Sequence, residues 1–146
     1  MKRRKFITLC CHGAITIPLG ISFLQSCGTI YYATFSLQSG LLTVSRSEFI
    51  NTKKNKQVPR SFVLIKTDGL NFPICLSKIS SDSYIASLLK CTHRNCELNV
   101  GGGIYSCPCH GSEFSITGKV LQGPADKNLQ TFKTKTDNEN IYIFLN

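Results

Sequence analysis

Residues 91–96 read CTHRNC and residues 107–110 read CPCH. These ten positions hold four of the chain's eight cysteines and two of its three histidines. Cys91 and His93 stand one residue apart, Cys107 and His110 two, so each stretch offers a sulfur and an imidazole as metal ligands. Cys96 and Cys109 are left over. Gly101, Gly102, Gly103, Pro108, Gly111, Gly118, Gly123 and Pro124 crowd the same region, and this density of turn formers predicts a loop-built site mounted on strands.

The flanking sequence reads as strands. RSFVLIKT (60–67) and NFPICLSK (71–78) are β-branched and aromatic runs on either side of Asp68-Gly69, a dipeptide that tolerates positive φ, and they predict a hairpin with a tight turn. DSYIASLLK (82–90) leads the chain to Cys91. NLQTFKTKT (128–136) and NIYIFLN (140–146) form a last pair around Asp137, Asn138, Glu139 and Asn140, while TIYYATFSLQ (29–38) and LLTVS (41–45) flank Ser39-Gly40 and open the sheet. No stretch after residue 30 carries a helical period. Cys75 falls within a strand, where burial as a small hydrophobe is expected.

Composition sets the bounds. With 146 residues, 42% hydrophobic and 17% charged, the chain suits one domain with a real core. Its formal charge of +9 includes Lys2, Arg3, Arg4 and Lys5, and without them it is +5. Lys53, Lys54, Lys56 and Arg60 lie in a polar stretch with little aromatic interleaving, which predicts a solvated loop; nucleic acid is not an expected partner.

MKRRKFI (1–7) followed by FITLCCHGAITIPLGISFL (6–24) gives a basic start and a broken apolar run, the pattern of an export signal or membrane anchor. Arg3-Arg4 before Lys5-Phe6-Ile7 resembles a twin-arginine signal, and LQSCG (24–28) resembles a bacterial lipobox with Cys27 as the lipid-bearing residue. Residues 1–27 are therefore expected to tether a domain of residues 28–146 to the exported, periplasmic face of a bacterial membrane. A plain uncleaved anchor is the alternative.

Two simple accounts of the cysteines and histidines compete. A structural zinc site accepts two sulfurs and two nitrogens, although zinc fingers pair Cys with Cys and His with His in separate boxes. A disulfide framework suits an exported domain, but does not use the histidines.

C-T-H-x-x-C with C-P-C-H-G-S, continuing through GSEFSITGKVLQGPADKNL (111–129), resembles the Rieske iron-sulfur proteins. The resemblance implies an all-β fold: an antiparallel β-sandwich with an inserted, loop-rich cluster-binding subdomain at about residues 90–125. It implies a 2Fe-2S cluster with Cys91 and Cys107 on one iron and His93 and His110 on the other, and a Cys96–Cys109 disulfide tying the two loops. The disulfide also argues against a reducing cytosol.

Around the ligands, Ser112 keeps a hydroxyl that in the family donates to a bridging sulfur, and Gly123-Pro124 matches the family's proline loop. Phe114 stands where respiratory members carry a tyrosine that donates to a ligand sulfur, which predicts a lower potential. Arg94 and Asn95 replace a common Leu-Gly. Asn tolerates the left-handed backbone that glycine would supply, while Arg94 puts a cation on the docking surface.

The function implied is one-electron transfer without a substrate site of the chain's own. With His93 and His110 taken, only His12 remains, too few histidines for the mononuclear iron of an oxygenase. One reading is a membrane-tethered subunit of a quinol-oxidising, cytochrome bc-like complex, with a cytochrome as redox partner. A second is a subunit or carrier for the large subunit of another exported oxidoreductase, of the arsenite-oxidase type, favoured by the lack of a long Gly/Ala/Ser hinge after Cys27. A structural zinc module is the third.

Overall fold

A computed structural model describes residues 30–53 and 56–145. The export signal, His12 and Cys27 lie outside those residues. In chain order the strands are β1 (Ser36–Gln38), β2 (Leu41–Ser45), β3 (Ile50–Lys53), β4 (Lys56–Pro59), β5 (Phe62–Ile65), β6 (Ile74–Lys78) and β7 (Tyr84–Leu88). Then follow β8 (Asn99–Gly101), β9 (Ile104–Ser106), β10 (Glu113–Ser115), β11 (Val120–Gln122), β12 (Thr131–Thr136) and β13 (Asn140–Phe144). The helical content described is one 3-10 turn, Arg46–Phe49, capped by the Ser45 hydroxyl. The expectation of an all-β chain holds, and no described helix is long and apolar enough to cross a membrane.

Seven strands form an antiparallel base sheet in the order β1-β2-β13-β12-β7-β6-β5. The strand period of two sets what each residue buries. Leu42 and Val44 of β2 and Ile141 and Ile143 of β13 are fully buried, while the residues between them are partly exposed. Each such side chain contributes about 1.5–3 kcal/mol of hydrophobic burial. β5 and β6 have both faces covered. Val63, Ile65, Ile74 and Leu76 enter the base core, whereas Leu64 and Cys75 point into a second core shared with Cys91, Tyr105, Cys107 and Phe114.

The base sheet is rolled. β12 changes partner along its length, with Thr131 and Phe132 opposite Ser87 and Ala86 of β7 and residues 133–136 opposite β13. At the far edge, residues 31–33 lie parallel to β5, held by Ala33 N–H to Leu64 O (2.8 Å) and Leu64 N–H to Tyr31 O (2.9 Å). β1, on the opposite edge, begins three residues later. Three residues span at most ~11 Å, so the strap brings the two edges of the sheet together.

A second antiparallel sheet, β11-β10-β9-β8, fills residues 99–122. The expected loop-rich insertion is therefore a small sheet with loops at its ends. Its Tyr105 crosses to the base sheet, where its hydroxyl lies 3.1 Å from Ser77 Oγ, and Ser77 Oγ lies 3.5 Å from the Cys75 sulfur. Burial pushes the Cys75 thiol up, against smaller opposing contacts from Ser77 and Tyr105. It behaves as the small hydrophobe the sequence implied.

Two expectations differ in detail. The β5–β6 hairpin exists, but its register begins at Ile65 opposite Ile74, so residues 66–73 make a long connection that tucks Leu70 and Phe72 against the core, not a tight turn at Asp68-Gly69. The basic stretch expected as a solvated loop is a two-stranded ribbon, β3–β4. Its last cation is structural: Arg60 stacks 3.7 Å from the Tyr31 ring centroid and donates to the carbonyls of Glu48 (3.0 Å) and Ile50 (2.8 Å). Tyr31 in turn donates to Glu48, as does Thr34. The Ser39-Gly40 turn forms as read, with φ of 47° and 79°.

Candidate metal centre

The two loops that opened the sequence fold by one hydrogen-bonding scheme. In the first, Asn95 N–H donates to Cys91 O (2.9 Å) and Cys91 N–H to Cys96 O (2.8 Å). In the second, Gly111 N–H donates to Cys107 O (3.0 Å) and Cys107 N–H to Ser112 O (2.8 Å). Each turn closes through a residue with left-handed backbone, Asn95 at φ 58° and Gly111 at φ 76°. That requirement explains Asn95: a β-branched side chain there would strain the turn. The leading cysteine of each loop is fixed by backbone bonds on both its N–H and its C=O.

The loops meet through their side chains. Cys96 and Cys109 form a disulfide, with S–S 2.07 Å and Cα–Cα 6.6 Å. The sulfur atoms of Cys96, Cys107 and Cys109 lie within 4.8 Å of one another. Two of these are bonded together and have no thiolate to offer, so that grouping is not a metal triad; it places Cys107 against the bridge. Cys91 and Cys107 are free and buried, at 1% and 4% exposure. Burial raises the Cys107 thiol, but the N–H of Cys109, the Cys91 thiol and the N–H of His110 outweigh it and hold the group below the usual thiol range.

The imidazoles also meet. His93 and His110 lie edge to face, with ring centroids 5.0 Å apart and planes at 85°. His93 is half-buried and His110 exposed. His93 Nδ1 is buried with no hydrogen-bond partner, a costly state for a ring nitrogen unless another group takes it up. Two free thiols buried in one core and two adjacent imidazoles, one with an orphaned buried nitrogen, fit the donors of a binuclear iron cluster with mixed ligation.

Residues 46–133, more than half the chain, match the family model described as the Rieske [2Fe-2S] domain. The chain belongs to the Rieske family. It is 42% identical over 106 residues to the cytochrome b6-f complex iron-sulfur subunit of Synechococcus sp. (strain JA-2-3B'a(2-13)), covering 53% of this chain but 62% of that subunit. Against the cytochrome b6-f complex iron-sulfur subunit of Synechococcus sp. (strain CC9605) it is 27% identical over 152 residues, covering 98% of this chain and 84% of the relative. Among solved structures it is similar to the cyanobacterial plasma membrane Rieske protein of Synechocystis PCC 6803. That match has a TM-score of 0.50 and 35% identity, and covers 57% of this chain and 85% of the other.

Around the centre of this Rieske domain, Ser112 is fully buried and its Oγ accepts the Ala125 N–H at 3.0 Å. Phe114 is fully buried in β10, opposite Tyr105 of β9. Tyr105 does not replace the missing tyrosine, because its hydroxyl points away to Ser77 and to Ile116 O (3.3 Å). Arg94 is exposed beside His93, and the Gly123-Pro124 peptide is cis.

Two ties escaped the sequence reading. Thr92 Oγ1 donates to Lys127 O (2.6 Å), and Gln122 Nε2 to Gly111 O (3.2 Å), each joining a cluster loop to the segment around the proline. Neither carries a spacing signal. Only the chain's path in three dimensions makes these residues neighbours.

Proposed function

We propose that this Rieske domain carries one electron at a time through a 2Fe-2S cluster, as a membrane-tethered subunit of a quinol-oxidising complex whose redox partner is a cytochrome. Cys91 and Cys107 hold one iron, and His93 and His110 the other. The observation that carries the reading is the meeting of the two imidazoles, with His93 Nδ1 buried and unpartnered, beside the second core that holds both free thiols. The cytochrome b6-f subunits among its relatives support the choice of complex.

A cluster with two neutral histidine ligands supplies a one-electron couple of raised potential. The chain's residues decide how it is presented. Cys91 and Cys107 sit in the second core while His110 faces solvent, so the imidazole side is the contact face for a partner or quinol. Histidine N–H groups at that face also exchange protons with it, coupling the two transfers. Residues 1–27 act as the export signal and anchor, with lipid on Cys27, and hold the domain on the exported side of a bacterial membrane.

Iron and acid-labile sulfide analysis, with the EPR spectrum of the reduced protein and a redox titration across pH, tests this. Two irons and two sulfides per chain, with a midpoint that falls at alkaline pH, are expected. Colourless protein with one zinc per chain, made under iron-replete conditions, sinks it.

A further inference from the structure

The chain enters the described structure at Ile30, which is 65% exposed, and the next residue, Tyr31, lies against the Arg60 guanidinium at the base of the β3–β4 ribbon. That ribbon forms a sheet of its own, and its ladder runs on past Pro59 through Arg60 N–H to Phe49 O (2.7 Å). Alternation along the strand therefore puts Lys56, Val58 and Arg60 on one face, the face on which the entering chain lies. Val58 is 47% exposed, and Lys56, also exposed, has Lys53 opposite it in register. Residues 49–67 contain Lys53, Lys54, Lys56, Arg60 and Lys66 and no Asp or Glu. The carboxylate just before them, Glu48, is taken up by the Tyr31 and Thr34 hydroxyls. Glu139 approaches the ribbon on its other face, in the cleft it shares with Ile50 and Pro59.

Chain length and charge point to the same occupant. Cys27, the proposed lipid-bearing residue, stands three residues ahead of Ile30, and three residues span at most ~11 Å. The corner of the domain that holds Tyr31 and the ribbon base is then kept within that reach of the headgroups. Lysines around an exposed apolar side chain suit an anionic bilayer surface, where the cations meet phosphates and the apolar group enters the headgroup–acyl boundary. We propose that the ribbon face carrying Lys56 and Val58 lies on such a lipid surface, so that the tethered domain is oriented by a second contact and not by its anchor alone. The nearness of the bilayer rests on the reading of Cys27 as the tether; the choice of face rests on the ribbon.

The test uses the full-chain holoprotein in vesicles of phosphatidylcholine alone or of phosphatidylcholine and phosphatidylglycerol in equal parts. Backbone hydrogen exchange across residues 50–59, followed by mass spectrometry, is expected to slow about fivefold in the anionic vesicles and to recover in high salt. The triple variant Lys53→Gln, Lys54→Gln, Lys56→Gln and the single variant Val58→Asp are expected to lose the slowing, while an unchanged thermal melt shows that both still fold. Exchange that is the same in the two kinds of vesicle, or slowed equally in the variants, overturns the proposal. Washing the vesicles with alkaline carbonate reports on the tether separately. Protein stripped by the wash refutes the anchor, and the lipid dependence of ribbon exchange with vesicles in excess still decides the face.

Discussion

The Ser112 hydroxyl accepts the Ala125 N–H and so has its own proton free to donate. This contact, like that of Gln122 with Gly111 O, ties the second cluster loop to the proline segment. Ser112→Ala leaves a buried N–H unpaired, at about 1–3 kcal/mol; chemical denaturation is expected to show that loss and voltammetry a lower midpoint, and an unchanged midpoint would mean the hydroxyl does not serve the cluster. Phe114 is the opposite case, a ring without a donor. Since hydrogen bonds to sulfur stabilise the reduced state, Phe114→Tyr is expected to raise the midpoint by roughly 40 mV for each ~1 kcal/mol of net preference, with no change or a fall counting against it. At this level the sequence was generous. Asn95 could be read as the residue with left-handed backbone because few side chains tolerate that conformation, and Cys75 as buried because its neighbours are. Thr92 and Gln122 were illegible, since what makes each useful is a carbonyl far away in the chain.

The two cysteine-bearing loops are one hydrogen-bonded turn used twice, and the disulfide locks one copy to the other. The bridge closes a loop of about 14 residues, worth about 3 kcal/mol by chain entropy. Cys96→Ser with Cys109→Ser is therefore expected to lower stability by about that amount and speed cluster loss, followed by the decay of visible absorbance; equal lifetimes would show that the paired turns suffice alone. Tyr105 joins the two sheets, and Tyr105→Phe, keeping the ring but dropping its contacts with Ser77 and Ile116, is expected to cost about 1 kcal/mol in a denaturant melt. The strands of the base sheet were legible from alternation and turn residues, whereas β3–β4 and the small sheet β8–β11 fell in stretches read as loops. The near-continuous apolar runs of β5 and β6 could not show that these strands separate two cores, because burial on both faces erases the period that would tell them apart. The long β5–β6 connection was missed for a related reason: Leu70 and Phe72 look like strand residues because they are apolar, and they are apolar because the loop folds back onto the core.

The rolled base sheet is held at its corners by polar contacts. Asp137 accepts the Tyr142 hydroxyl (2.7 Å) and the N–H groups of Asn140 (2.7 Å) and Glu139 (2.8 Å), which hold its carboxyl below the usual range. Its folded value is depressed, so the stability it contributes is fully present above the unfolded value of about 3.9 and is lost as pH falls through the lower folded value. Asp137→Asn is expected to flatten the acid limb of a stability–pH curve; parallel curves for the two proteins would exclude this role. Sequence patterning reached the antiparallel pairs but not the closure, which depends on β12 changing partner and on residues 31–33 crossing to β5. That strap has a mechanical consequence. Any pull on the chain ahead of residue 30 reaches the body of the domain through the strap, so load falls first on its backbone bonds to Leu64 and on the Tyr31 contacts with Arg60 and Glu48.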